Sequence, residues 1–309
     1  MSSHALHVAV GVIQGADKRI LITQRARHAH QGGLWEFPGG KVETGETVTQ
    51  ALYRELREEL DITVKAASPL IKISHHYPDR HVLLDVWQIH AFNGSPRGCE
   101  GQEMHWVEPP KLKTYEFPAA NQSIVSAVLL PRRYAILEGS SHEDIMHKLE
   151  LILAKGVTLI QFRGKSLPTN DRTSIYDEVS ARCQSQAATL LLNSDLGLSR
   201  KPNDGLHLSS RALLSQSKRP PCPNWVGASC HNFQELEHAQ RIGVDFVVIA
   251  PVQLTRSHPD ALPLGWEKLQ HMIEQTNLPV FALGGLTIND LDRAIASGAQ
   301  GVSGISTFL

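Results

Sequence analysis

Hydrophobic spacing changes character several times along the chain, and each change predicts an element. Residues 6–13 (LHVAVGVI) and 19–24 (RILITQ) are short β-branched runs around the polar turn QGADK, which predicts two strands. From Thr47 the apolar period lengthens to four: Leu52, Leu56 and Leu60 lie on one face, and Thr47-x-x-Gln50 reads as a capping box. A helix of about three turns from near Val48 to Leu60 follows. Residues 71–77 and 81–92 predict a hairpin turning at Pro78-Asp79-Arg80, 104–107 a short late strand, and 121–130 a helix. This order of elements predicts a mixed α+β sandwich.

After Pro131-Arg132-Arg133, short apolar runs alternate with amphipathic stretches. Eight strands are predicted, at 134–137, 158–162, 189–193, 206–208, 226–229, 246–250, 280–283 and 302–305. Most are separated by helical patterns, such as 143–155, 171–186, 232–242 and 265–275. Repeated βα units of this number predict a (β/α)8 TIM barrel. It is a compact one. Little helix fits between the third and fourth strands, and only residues 306–309 follow the eighth, so the last helix of the pattern is missing. Two domains are expected, 1–130 and 131–309, in keeping with a length of 309 residues.

Charge and composition narrow the function classes. A net charge of −1 argues against general affinity for nucleic acid or anionic membrane. No run of 18 apolar residues and no signal-peptide pattern is present, so a soluble, cytoplasmic protein acting on small molecules is expected. The 16 His are scattered without zinc spacing, and the four Cys form no CxxC pair, which favours reduced thiols.

The candidate chemistry begins on the first helix. At about 100° per residue, Glu55, Glu58 and Glu59 fall within an arc of about 100°, beside the leucine stripe. Like charges at this spacing repel by a few tenths of a kcal/mol per pair, and Arg54 offsets only part of that. A hard divalent cation removes the repulsion, and oxygen-only ligands favour Mg²⁺, with Mn²⁺ as the alternative. Taken alone, an REL-x-EE run is as readily a solvated acidic face. The preceding loop, Pro38-Gly39-Gly40 and then Gly45-Glu46, alters that balance by exposing backbone carbonyls beside the carboxylates.

The run Gly40, Glu46, Arg54, Glu55, Leu56, Glu58, Glu59, Ile62 resembles the Nudix box, with Asp61 where that family has its last glycine. Asp tolerates the left-handed conformation such a glycine adopts, at a cost of about 1 kcal/mol or less. Further segments, WEFPGGK from Trp35, YPDRH from Tyr77, EGQ from Glu100 and FPAAN from Phe117, resemble the MutT-type 8-oxo-dGTP diphosphatases. That resemblance implies Glu55, Glu58 and Glu59 as the metal-binding and base cluster, the Gly40 carbonyl as a further ligand, and Glu100 as an outlying one. It also implies Asn121 as reader of the purine edge, with Arg25, His30, Phe37 and Arg80 lining the nucleotide pocket. Whether Glu55 or Glu59 is the base is left open by spacing. The implied reaction is attack of water on a nucleoside triphosphate, releasing pyrophosphate and the monophosphate.

Ligand sites in (β/α)8 barrels lie at the C-terminal ends of the strands. Here those ends carry Gln161, Arg163, Lys165, Asn193, Asp195, His207, Ser229, Thr255, Ser257, Gly284 and Gly285. Their order resembles thiamine phosphate synthase, with departures where charge matters. Ser194 and Ala212 stand where that family has its magnesium aspartates, Ala250 where it has a glycine, and His258 where it has a phosphate-contacting lysine. Asp195 is a possible substitute ligand by a shift of one residue. Without two anionic ligands, binding of Mg²⁺-pyrophosphate should be badly weakened. The resemblance still implies a candidate phosphate-binding set of Gln161, Arg163, Lys165, Asn193, Thr255, Ser257, Gly284, Gly285 and Ser306. The expected function is thus a Mg²⁺-dependent Nudix hydrolase that sanitises 8-oxo-dGTP, followed by a degenerate barrel. Two alternatives remain: a bifunctional enzyme of thiamine metabolism, and a barrel that senses a thiazole or thiamine phosphate without turning it over.

Overall fold

The computed structural model describes residues 5–28, 31–255 and 262–309, and its contacts divide the chain into two compact units, Met1–Leu130 and Pro131–Leu309. Strands β1 (Leu6–Gln14), β2 (Ile20–Gln24), β3 (Trp35–Glu36) and β4 (Gly39–Lys41) open the first unit, followed by helix α1 (Val48–Leu60). Then come β5 (Thr63–His76), β6 (His81–Asn93), β7 (Met104–Val107) and helix α2 (Gln122–Leu129). The sheet runs β3-β2-β1-β6-β5, with β4 paired to β1 and β7 to β2. Only the β1–β6 pairing is parallel among these described strands.

Alternation along β1 sorts the two faces, as expected of a pleated strand. Ala9 and Ile13 pack with Leu52, Leu56 and Leu60 of α1, while Val10 and Val12 pack with Phe37, Ile124 and Val125 on the other side. A Cβ on Gly11 would lie 3.0 Å from Leu56 Cδ1, so the helix seats closely where the strand lacks a side chain. The capping box is formed: Gln50 N–H donates to Thr47 Oγ1 at 3.2 Å, and Thr47 N–H donates to Gln50 Oε1 at 2.8 Å. Asp61 closes the helix at φ 55°, its N–H reaching the Leu56 and Arg57 carbonyls.

Two expectations need correction. Residues around Pro38 read as an open loop, yet Gly39 and Gly40 pair with Val10 and Ala9 as part of β4. Gly39 has φ 146° and a Cβ there would stand 2.1 Å from the Ala9 carbonyl oxygen, so only glycine permits this pairing. Strand β5 begins at Thr63 rather than 71. Register shifts at Val64/Ala66, Ala66/Ala67 and Pro69/Ile71 break its alternation and hide it from a period-two reading.

The second unit comprises β8 (Arg133–Leu137), α3 (His142–Ala154), β9 (Leu159–Phe162), α4 (Arg172–Ser185), β10 (Thr189–Asn193), β11 (Gly205–Leu208) and α5 (Ser210–Leu214). It continues with β12 (Val226–Cys230), α6 (Phe233–Ile242), β13 (Phe246–Ile249), α7 (Gly265–Ile273), β14 (Val280–Leu283), α8 (Leu291–Ala296) and β15 (Gly301–Gly304). The strands close as β10-β11-β12-β13-β14-β15-β8-β9, all parallel. No helix follows β15 in residues 305–309. Among the described residues no helix is long and apolar enough to cross a membrane.

Outward residues such as Leu137, Phe162, Leu192 and Ile249 join a core with Leu149, Val179, Leu236 and Leu269 of the helices. Their alternates point inward. Near the N-terminal ends, Tyr134, Phe246 and Phe281 fill the lumen with ring centroids 5.4 to 5.5 Å apart. Toward the C-terminal ends the inward positions turn polar, with Gln161, Asn193, His207 and Ser303 all buried.

The aromatic layer leaves no space at β12, where a Cβ on Gly227 would lie 2.5 Å from Phe246 Cζ. Gly227→Ala should therefore destabilise the barrel by about 1–3 kcal/mol. Urea denaturation followed by far-UV circular dichroism is the check, and an unchanged midpoint would contradict the packing described.

Candidate active site and barrel mouth

In the first unit, Arg54 holds the loop before α1 onto the helix. Its Nε and Nη2 donate to the two Glu46 oxygens at 2.8 and 2.9 Å, Nη1 to Glu55 at 2.8 Å and Glu58 at 3.3 Å, and Nη2 to the Lys41 carbonyl at 3.0 Å. These contacts lower the Glu46 carboxyl to about 2, through Arg54 first and the Glu43 N–H second. Glu55 lies against Gly40: a Cβ there would be 2.1 Å from its carboxyl carbon.

Glu59 has no such cation. Its Oε2 accepts the Gly39 N–H at 3.1 Å, and its carboxyl is pushed up to about 8 by burial first and by the negative charge of Glu36 next. Glu100 and Glu55 add to the push. Glu36 is itself raised to about 6, by burial against the pull of its ion-pair partner Arg25, with Glu100 again opposing ionisation. The loop carrying Glu100 is tied to the end of α1, where Cys99 N–H and Gln102 Nε2 both donate to the Glu59 carbonyl, at 2.9 and 3.0 Å. Glu36, Glu55, Glu59 and Glu100 thus form one electrostatic neighbourhood. Glu58 sits at its edge, with a side chain 59% exposed.

This donor set suits a hard divalent cation in chemistry, being all oxygen, and in charge, since Glu36 and Glu59 are raised by burial and by neighbouring carboxylates. Among the described residues no three His, Cys, Asp or Glu side chains already converge as a ready metal site. Arg54 accounts for part of this by drawing Glu55 and Glu58 to itself.

The other expected nucleotide contacts are spread more widely. Phe37 is buried and stacks on Phe117, ring centroids 5.4 Å apart. Arg80 is exposed and bonded to its neighbour Asp79 at 2.9 Å. Asn121 is 7% exposed and its side chain makes no helix-cap bond, leaving the amide uncommitted to that structural role. His30 lies outside the described residues. Glu36 was missed by sequence reading because one carboxylate on a two-residue strand carries no periodic signal.

In the barrel, Arg163 Nη1 donates to Glu138 Oε2 at 2.8 Å and Lys165 Nζ to Asp195 Oδ2 at 2.7 Å. The other Asp195 oxygen accepts from Ser209 Oγ at 2.6 Å, with Arg211 3.6 Å away. Both oxygens of the possible substitute ligand are therefore engaged by the chain's own donors. Asn193 Oδ1 accepts the Asp195 N–H at 3.0 Å. His207 bridges Tyr134 Oη at 3.0 Å and Ser229 Oγ at 2.9 Å. Gln161 Nε2 and Ser303 Oγ are buried without a hydrogen-bond partner among the described residues. Gly284 and Gly285 have φ 104° and 68°, and a Cβ on Gly285 would meet the Leu254 carbonyl oxygen at 2.3 Å, so this turn approaches its neighbour through bare backbone. Thr255 is half-buried and Ser306 exposed, while Ser257 and His258 lie outside the described residues. Glu138 was not singled out from sequence, although it is the first residue past β8, at the end of the barrel where ligands are expected.

Comparison with known proteins divides the chain in the same way. The NUDIX domain family matches residues 9–127, and the thiamine monophosphate synthase family matches residues 133–308. The first part is similar to the 8-oxo-dGTP diphosphatase of Escherichia coli, 42% identical over 39% of this chain and 94% of that protein. The 8-oxo-dGTP diphosphatase of Proteus vulgaris is 45% identical over 29% of this chain and 80% of its own length. The second part is similar to a thiamine-phosphate synthase of Lactococcus lactis, 34% identical over 54% of this chain and 80% of that enzyme.

Burial of His207, the largest cause, lowers its pKa from 6.5 to about 3. Below pH 6.5 the unfolded chain takes up a proton that the folded barrel refuses until about pH 3. Stability is therefore lost as pH falls through that window, by at most about 1.4 kcal/mol per pH unit from this group. His207→Gln should flatten the acid limb of the stability profile, measured by urea unfolding at stepped pH. Identical slopes for both proteins would remove His207 as the cause.

Proposed function

Because the chain belongs to the Nudix family through residues 9–127 and to the thiamine monophosphate synthase family through residues 133–308, we propose that it hydrolyses 8-oxo-dGTP to 8-oxo-dGMP and pyrophosphate, in a first domain of residues 1–130. The observation that carries this reading is the Arg54-centred arrangement, which aligns the box loop with Glu55 and leaves Glu59 buried among carboxylates without a cation. Gly40 through its carbonyl, Glu55, Glu58, Glu59 and Glu100 would hold Mg²⁺, or Mn²⁺ in its place. When bound, the ion supplies neutralisation of phosphate oxygens and a water of lowered pKa.

The remaining work falls to the chain. Arg54 orients Glu55 and restrains the loop. Glu59, its carboxyl pushed up by burial and by Glu36, would hold the ion in its ionised form, and a carboxylate of this cluster would accept the proton of the attacking water. Arg25, Phe37 and Arg80 would contact the nucleotide, as the resemblance implies also for His30, which lies outside the described residues, and Asn121 would offer both a donor and an acceptor to the purine edge. The names of the relatives from Escherichia coli and Proteus vulgaris support the oxidised guanine substrate.

The barrel, residues 131–309, is proposed to have lost efficient synthase chemistry while keeping a small-molecule phosphate site. Ser194 and Ala212 offer no carboxylate, and Asp195 is committed to Lys165 and Ser209. A ligand-sensing role is supported by Gln161 and Ser303, whose buried polar atoms find no partner among the described residues.

Glu55→Gln and Glu58→Gln should each lower kcat by about 10²–10⁴-fold at an unchanged unfolding midpoint. Asn121→Ala should reduce the kcat/KM ratio of 8-oxo-dGTP over dGTP by about tenfold or more. Pyrophosphate and phosphate release across 8-oxo-dGTP, dGTP and thiamine diphosphate, with and without Mg²⁺, is the measurement. Cleavage of another diphosphate with 8-oxo-dGTP ignored would refute the substrate but keep the reaction class.

A further inference from the structure

Glu138 follows β8 directly, and its carboxylate is built into the loop after β9. One oxygen accepts from Arg163 Nη1 at 2.8 Å and the other from the Ser166 N–H at 3.1 Å. The side chain is only 12% exposed. A guanidinium and a backbone N–H closing on two oxygens of one anion is the arrangement by which proteins grip phosphate. Here the chain supplies that anion itself. Lys165 is occupied in the same manner by Asp195, which Ser209 secures from its other side.

Among the described residues, Arg163 and Lys165 are therefore each matched by an internal carboxylate, and the exposed Arg211 also lies 3.6 Å from Asp195. What the described lumen leaves without partners is neutral: Gln161 Nε2 on β9 and Ser303 Oγ on β15, the strands that flank β8. His207, bonded to Tyr134 of the aromatic layer and to Ser229, is held uncharged by burial. A ligand's single phosphate can be met by the glycine turn at Gly284-Gly285, where backbone approaches closely. Among the described residues, the partly buried cations a second phosphate would draw on are Arg163 and Lys165. It would then have to expel a carboxylate that is itself nearly buried, and place a new anion beside it.

We propose that Glu138 determines the charge of ligand the barrel accepts, admitting small molecules with one phosphate and excluding diphosphates. This rests on the reading of the mouth as an anion site. Glu138 is a specificity-determining residue in this role, acting through Arg163.

Titration calorimetry on the full chain in EDTA, with inorganic phosphate and inorganic pyrophosphate as probes, tests it. Adding Arg163→Gln to Glu138→Gln should abolish any gain in pyrophosphate binding, which assigns that gain to the barrel. Wild type should bind pyrophosphate no more than about threefold tighter than phosphate. Glu138→Gln should tighten pyrophosphate by about tenfold or more while changing phosphate by less than about threefold. Glu138→Ser, which keeps a hydroxyl acceptor for the Ser166 N–H, is the second variant, so the comparison stands if one of the two does not fold. A wild-type preference for pyrophosphate of about tenfold, or variants in which pyrophosphate binding is unchanged or weakened, would overturn the proposal and make Glu138 a mere support for Arg163. Binding of neither anion to wild type or variants would instead overturn the anion-site reading itself.

Discussion

The guanidinium of Arg54 is the contact on which the first unit's chemistry depends. It reaches both oxygens of Glu46, then Glu55, Glu58 and the Lys41 carbonyl, so a loop and a helix that would otherwise repel are held in one register. Its charge is spent on three carboxylates, and Glu59 lies beyond them. Burial first, and then the neighbouring negative charges, push the Glu59 carboxyl up to about 8. The uncompensated surroundings of Glu59 are therefore a product of how one arginine is shared.

The two units resolve the same electrostatic problem in opposite directions. In the first, carboxylates outnumber the cations near them, and Glu36 and Glu59 are pushed above the usual carboxylate range. In the barrel, Glu138 with Arg163 and Asp195 with Lys165 are matched pairs, and Asp195 is held below the usual carboxylate range by Lys165 and Ser209 despite its partial burial. A site with unbalanced charge recruits ions. A balanced one discriminates by shape and by hydrogen bonding, because any added charge meets an interior already neutral.

Local patterns carried most of what sequence could reveal. The α1 leucines, its capping box and the left-handed Asp61 are each specified within a few residues, and all three are present. The eight barrel strands were legible for a similar reason, since parallel strands buried on both faces read as short apolar runs. What escaped depended on contacts distant in sequence. Gly39 and Gly40 become a strand only because β1 lies alongside, and β5 loses its alternation to bulges. Glu36 and Glu138 are single carboxylates whose significance comes from Arg25 and Arg163, residues that no spacing rule links to them. Conversely, Asp195 had the right type and place, and its neighbours Lys165 and Ser209 decided its role.

The three rings of Tyr134, Phe246 and Phe281 close the lower lumen, with Tyr134 also hydrogen-bonded to the histidine above it. With that end of the lumen filled by rings, a ligand bound at the polar strand ends would arrive and depart on the same side of the barrel, and its residence time would set how soon a second could follow.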